Sequence, residues 1–142
     1  MQLVVGESYL RSELHSNFGG NPRAGICPTQ SVVLIFSDPP SGTRFGYDQH
    51  DYVSGGIYSY TGEGRRGDQQ LVRGNKALLS GKPLLLFSRI DAKSWVFIGE
   101  VGLADPEFEI EKAPDQSGVP RNVLVFRFVP LNARFELLRN SR

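Results

Sequence analysis

The sequence predicts an α+β domain, mainly β, with a curved or barrel-like sheet and one or two flanking helices. Two observations predict it. Short runs rich in β-branched and aromatic residues recur at 31–36 (SVVLIF), 57–61 (IYSYT), 83–87 (PLLLF), 94–101 (SWVFIGEV) and 121–129 (RNVLVFRFV), a composition that suits packed strands. Sixteen Gly and nine Pro separate these runs and supply the turns between them. The 142 residues are long enough for a single domain, 1–142, around one core. No repeat, low-complexity tract or linker divides them.

Each element has its own reason. Residues 3–5 are a short apolar start. Residues 9–18 place Leu10, Leu14 and Phe18 on one face of a short helix. The loop at 19–25 (GGNPRAG) carries Arg23 near its middle. Residues 31–36 are apolar almost throughout, as in a strand buried on both faces. Residues 38–42 (DPPSG) make a turn. Residues 45–52 (FGYDQHDY) are dense in rings and carboxylates and poor in aliphatics, which suits a binding site better than a packed interior.

After the strand at 57–61, Gly62, Gly64 and Gly67 permit a tight reversal with Arg65 and Arg66 at its tip. Asp68 is placed as the N-cap of a helix whose apolar face holds Leu71, Leu78 and Leu79. Ser80-Gly81 closes that helix and Pro83 stops it. Asn75 falls on the apolar face, where its amide must find partners; it is expected to fix the loop preceding YTG (60–62). Gly74 costs a helix about 1 kcal/mol relative to Ala, which points to a close approach by backbone or by a bound partner. Residues 83–87 form a second buried strand. Residues 94–101 put Trp95, Phe97 and Val101 on one side, and 108–111 alternate strictly, as a half-exposed antiparallel strand does. A turn at 116–118 leads to the last long strand, 121–129. Residues 131–138 are a terminal helical turn or strand.

The stretch 57–79 also carries a resemblance. YTGEG at 60–64, GDQ at 67–69 and GNKAL at 74–78 resemble the central signature of SRA domains: a YTG strand end, a DQ-x-L helix start and an N-x-AL helix body. The chain looks most like the compact SRA-like modules of McrA-type bacterial restriction proteins, which precede an HNH nuclease domain. Arg11, Glu13, Leu14, His15, Phe18, Gly19 and Gly20 match the leader of those modules. The resemblance spans about Arg11 to Val129 and implies an SRA (PUA-like) barrel. It also implies binding of double-stranded DNA that carries 5-methylcytosine or 5-hydroxymethylcytosine, with the base extruded into an aromatic pocket.

Extrusion costs a few kcal/mol of stacking and pairing. Aromatic faces return about 1–3 kcal/mol per stacked base, whereas one buried methyl group adds only ~0.8 kcal/mol. Carried over from the family, Tyr47 and Tyr60 are the stacking rings, Gly46 allows close approach and Thr61 lines the methyl side. A carboxylate reads the cytosine edge: counting back from Tyr60 favours Asp51, and counting forward from Tyr47 favours Asp48. Arg23, Arg65, Arg66, Arg73 and Lys76 are the expected contacts to the DNA backbone or groove. The chain itself is then a binding domain rather than an enzyme, in a bacterial cytoplasmic setting, with an HNH nuclease in cis in a longer parent.

Plainer readings stand beside these. Tyr58 and Tyr60 alternate in a strand and could simply pack on a neighbour. Asp near Gly commonly closes a turn. The loop at 19–25 could be a surface connection, and Arg65 and Arg66 could be solvated. A PUA/SRA framework could also serve RNA or protein with no dependence on methylation. The net charge of +1 does not mark a nucleic-acid binder, although the acidic block Asp105, Glu107, Glu109, Glu111 and Asp115 lies apart from the basic Arg65–Lys82 region.

Other chemistries are excluded more firmly. Cys27 is the lone cysteine, so no internal disulfide forms, which suits a reducing compartment. His15, His50 and Cys27 are too few and scattered for a zinc site. No Gly-x-Ser-x-Gly elbow, P-loop or HExxH occurs, and neither metal nor cofactor is expected. No apolar run approaches the roughly 20 residues that cross a bilayer, and the first residues lack a signal-peptide pattern, so no membrane partner is expected.

Overall fold

The computed structural model describes residues 1–38, 53–54 and 57–131. In chain order the elements are β1 (Ser8–Leu10), α1 (Arg11–Phe18), β2 (Ile26–Pro28), β3 (Val33–Ser37), β4 (Val53–Ser54), β5 (Ile57–Thr61), α2 (Arg73–Ala77), β6 (Leu84–Arg89), β7 (Ser94–Pro114) and β8 (Pro120–Pro130). They make a mainly-β domain with one curled sheet, in the order β2-β3-β6-β7-β8-β5-β4, and β1 pairs with β7. The β3–β6 pair is parallel, with Val33 opposite Leu84 and Phe36 opposite Phe87. The remaining pairs are antiparallel.

The two central apolar strands are buried on both faces, as their unbroken hydrophobic runs require. Val33 and Ile35 of β3, with Leu84 and Leu86 of β6, enter one core beside Tyr58, Tyr60, Phe126 and Phe128. Leu34, Phe36, Leu85 and Phe87 enter a second core closed by Leu14 of α1, Cys27 and Trp95. The curl brings β5 across to β3. Tyr58 donates its hydroxyl to Ser37 Oγ at 2.6 Å, and Tyr60 donates to the Phe36 carbonyl at 3.2 Å.

Several local expectations change. The strands read at 94–101 and 108–111 are one long strand, β7, whose pairing with β8 shifts between Leu103 and Phe108. Pro106 and the charged residues around it broke the hydrophobic pattern without ending the strand. The helix read at 9–18 begins only at Arg11, and residues 8–10 form the first strand, paired with 94–96. The short β2 was not expected at all; it pairs with β3 through Ile26, Cys27 and Pro28. The expected turn at 38–42 and the ring-rich stretch 45–52 fall outside the described residues beyond Asp38, as does 131–138 beyond Leu131.

Candidate nucleic-acid interface

The turn after β5 is held by side chains that stand in for a strand. The Gly62 N–H donates to Leu124 O, and the Gln69 N–H to Asn122 O. Gln69 Oε1 accepts from the Leu124 N–H at 2.9 Å, while its Nε2 donates to Gly62 O at 2.7 Å. Asp68 Oδ1 accepts from the Asn122 N–H at 2.7 Å. Asp68 is therefore not a helix cap, because its carboxylate is committed to β8. The helix begins only at Arg73, with Val72 at its cap position, and Leu71 is exposed instead of facing the core. Arg73 itself adopts φ +50°, and among the described residues it is the only non-glycine with positive φ.

Asn75, 2% exposed, pins the turn from below. Its Oδ1 accepts from the Glu63 N–H at 2.7 Å, and its Nδ2 donates to Glu63 O and Gln70 O. The loop it fixes follows YTG; the sequence placed that role on the loop before it. The two glycines that matter here make room for this contact. A Cβ on Gly62 would lie 2.7 Å from Asn75 Oδ1, and one on Gly74 would lie 2.5 Å from Glu63 Oε2 and 3.0 Å from Ile26 Cβ. The close approach foreseen at Gly74 is thus made by the Glu63 side chain and β2.

Glu63 Oε1 accepts from the Ile26 N–H at 2.8 Å, tying the turn to β2. Burial raises the Glu63 carboxyl above its ordinary value, against the lowering effect of that N–H. Sequence reading missed Arg121, which is 4% exposed and donates from Nη1 to Gly64 O at 2.6 Å and Gly67 O at 3.0 Å. Its Nε and Nη2 are buried without partners. No local signal marks it, because its partners lie more than fifty residues earlier.

Arg65 and Arg66 are exposed at the tip, as expected. The tip rests on the β7–β8 turn: the Gln116 N–H donates to Arg65 O, and the Gln116 side-chain oxygen accepts from Arg66 Nε at 2.5 Å and Nη2 at 3.1 Å. Arg73 and Lys76 are exposed on α2, and Arg23 is exposed in the loop after α1. Tyr60 is 6% exposed, with its ring 5.9 Å from that of Phe128. Thr61 is 3% exposed and, as the next residue of the strand, faces the opposite side of the sheet. Gly46, Tyr47, Asp48 and Asp51 lie outside the described residues.

A cleft of about 690 Å³ opens beside α1. Phe36 and Trp95 form its apolar wall, and Arg11, Arg23, Arg89 and Lys93 line it with Asp38 as the acidic member. Arg11 belongs to the protein's own framework. Its guanidinium lies 3.8 Å from the Phe36 ring centre and donates to His15 Nε2, Asn21 O and Ala24 O. His15 Nδ1 lies 2.8 Å from Gly19 O, so the helix and the loop carrying Arg23 are stitched together. Behind them the Cys27 thiol is pushed up to about 11, first by burial, with Arg11 opposing. A thiol held protonated in this way is a packing group and not a nucleophile.

The open curled sheet, with its glycine turn braced against β8, β2 and the β7–β8 turn, is the fold that SRA domains share. The profile of the family described as ScoMcrA-like, SRA domain, matches residues 5–137, and the chain belongs to that family. Solved structures agree in fold. The sulfur binding domain and SRA domain of ScoMcrA, complexed with phosphorothioated DNA, matches with TM-score 0.67 and 21% identity over 92% of this chain and 40% of that one. The SUVH5 SRA domain with hemi-methylated CG DNA matches with TM-score 0.63 and 23% identity over 92% and 90%. MspJI restriction endonuclease with a 27-mer oligonucleotide matches with TM-score 0.57 and 15% identity over 91% and 33%. No curated protein matches the chain.

Proposed function

We propose that this SRA domain binds double-stranded DNA containing 5-methylcytosine, or its 5-hydroxymethyl form, by extruding the modified base, and that it serves as the reader of a modification-dependent restriction system. In that reading an HNH nuclease lies in cis in a longer bacterial, cytoplasmic protein, and this chain supplies recognition without catalysis. Membership of the ScoMcrA-like SRA family carries the reading. The solved relative bound to hemi-methylated CG DNA supports it. So does the distribution of charge, because Arg65, Arg66, Arg73 and Lys76 are all exposed on one turn and the helix that follows it.

A second reading has its own observation. Tyr60 is packed against Phe128 and bonded to Phe36 O, as in a framework that keeps the fold without a base slot and binds RNA or protein. A titration separates the two. One duplex sequence is compared with and without 5-methylcytosine at moderate fixed salt, beside an RNA of the same sequence. Preference for the methylated duplex by about tenfold or more is expected; equal affinity for both duplexes rejects the first reading.

A further inference from the structure

Arg121 stands at the start of β8, 4% exposed, behind the tip that carries Arg65 and Arg66. Its Nη1 donates to Gly64 O at 2.6 Å and to Gly67 O at 3.0 Å. One nitrogen thus ties the two carbonyls that bracket the Arg65–Arg66 pair. Both bracketing glycines have positive φ, +128° at Gly64 and +64° at Gly67. Glycine loses the most backbone freedom when it is fixed, so a tip bounded by two of them wanders unless it is clamped. Other braces hold the base of the turn: Asn75 bonds Glu63 and Gln70, and Gln69 bonds Gly62 and Gly64. The tip itself is met from the β7–β8 turn, where the Gln116 N–H donates to Arg65 O at 3.0 Å. That turn is tightly made, with Asp115 Oδ1 accepting from the N–H groups of Ser117 at 2.8 Å and Val119 at 3.0 Å. Arg121 Nε and Nη2 are shielded from water and have no hydrogen-bond partner. A buried guanidinium that uses one nitrogen of three is a poor stabiliser of a fold, so the reason for it lies in what that nitrogen holds.

We propose that Arg121 positions the Arg65–Arg66 pair for contact with DNA phosphates, so that the β7–β8 hairpin and the tip bind as one rigid piece. The inference rests on the proposed function and adds to it a residue that acts on DNA only through others. With the clamp in place, the tip is ordered before DNA arrives. Without it, the ordering cost falls on the binding step and weakens affinity. The effect is routed through Arg65 and Arg66, so it disappears when they are removed. An arginine acting only through stability, or through its own charge, would weaken binding with or without them.

The test is a mutant cycle on affinity for one duplex, with and without 5-methylcytosine, at fixed salt and at a temperature where every variant is folded. Arg121→Met is expected to weaken binding of both duplexes about fivefold in the otherwise wild-type chain, and by less than about twofold in the Arg65→Ala, Arg66→Ala background. Arg121→Lys, whose ammonium can donate to both carbonyls, should stay within about twofold of wild type. Equal losses from Arg121→Met in the two backgrounds overturn the inference, as does no loss in either, or an Arg121→Lys as weak as Arg121→Met. Each of these leaves the proposed function standing when wild type prefers the methylated duplex. A wild type with equal affinity for the two duplexes rejects the proposed function, while the cycle still decides the role of Arg121. If Arg121→Met does not fold, Arg121→Gln, a shorter neutral donor, is measured in its place with the same expectations.

Discussion

Arg11 lines the cleft beside α1 and Arg66 tips the turn after β5, and their surroundings differ. Arg11 is half-buried between α1 and β3. Its guanidinium stacks on Phe36, donates to two backbone carbonyls and one imidazole nitrogen, and is shifted downward in pKa by burial first. Arg66 stands exposed at the tip of a turn, with the Gln116 amide as its partner. The turn beneath it is fixed by other residues, namely Gln69, Asn75 and Arg121. One arginine thus holds the fold together, and the other is presented by a fold that does not depend on it. Counting charges along the sequence cannot tell these roles apart, but burial and bonding do.

The sharpest way to break this contrast is to remove each cation and ask what is lost. Arg11→Met keeps the apolar stem and deletes every hydrogen bond and the ring contact. It should lower unfolding free energy by about 2 kcal/mol, seen as a reduced urea midpoint with unchanged slope. Unchanged stability would mean that the carbonyls of Asn21 and Ala24 find other donors and that Arg11 is not part of the frame.

Arg65→Ala with Arg66→Ala should do the opposite. Thermal stability should change little, because the turn is held by Gln69, Asn75 and Arg121. Affinity for DNA should fall by about tenfold, equally for methylated and unmethylated duplexes, and the salt slope should decrease by about 2. A loss confined to methylated DNA would move these arginines from phosphate contact to base reading.

How much of this was legible in the sequence varies with the range of the interactions. The apolar runs of β3 and β6 identified doubly buried strands because burial on both faces leaves no polar alternation to misread. The start of α2 was misread because Asp68 and Gln69 look like a helix entrance locally, whereas their partners are the N–H groups of Asn122 and Leu124 on β8. The packing role of Gly74 was legible as a penalty needing a reason, and the reason is Glu63 and Ile26. The cleft was not legible at all. Arg11, Asp38, Arg89 and Trp95 come together only through the parallel β3–β6 pairing and the β6–β7 hairpin, which no local pattern encodes.

The smallest effect tests the brace beneath the tip. Glu63 carries its carboxylate between β2 and α2, and burial raises its folded pKa above the ordinary 4.5. The protonated form is therefore favoured by folding. That contribution is fully present below pH 4.5 and is lost as pH rises through the folded pKa. Glu63→Gln keeps an oxygen for the Ile26 N–H and removes the charge, so it behaves as permanently protonated. Its melting temperature should match wild type below pH 4.5 and exceed it slightly at pH 7. A variant less stable than wild type at pH 7 would show that the charged carboxylate strengthens the Ile26 bond by more than its burial costs. The turn would then depend on an anion at its base as well as on the amide of Asn75.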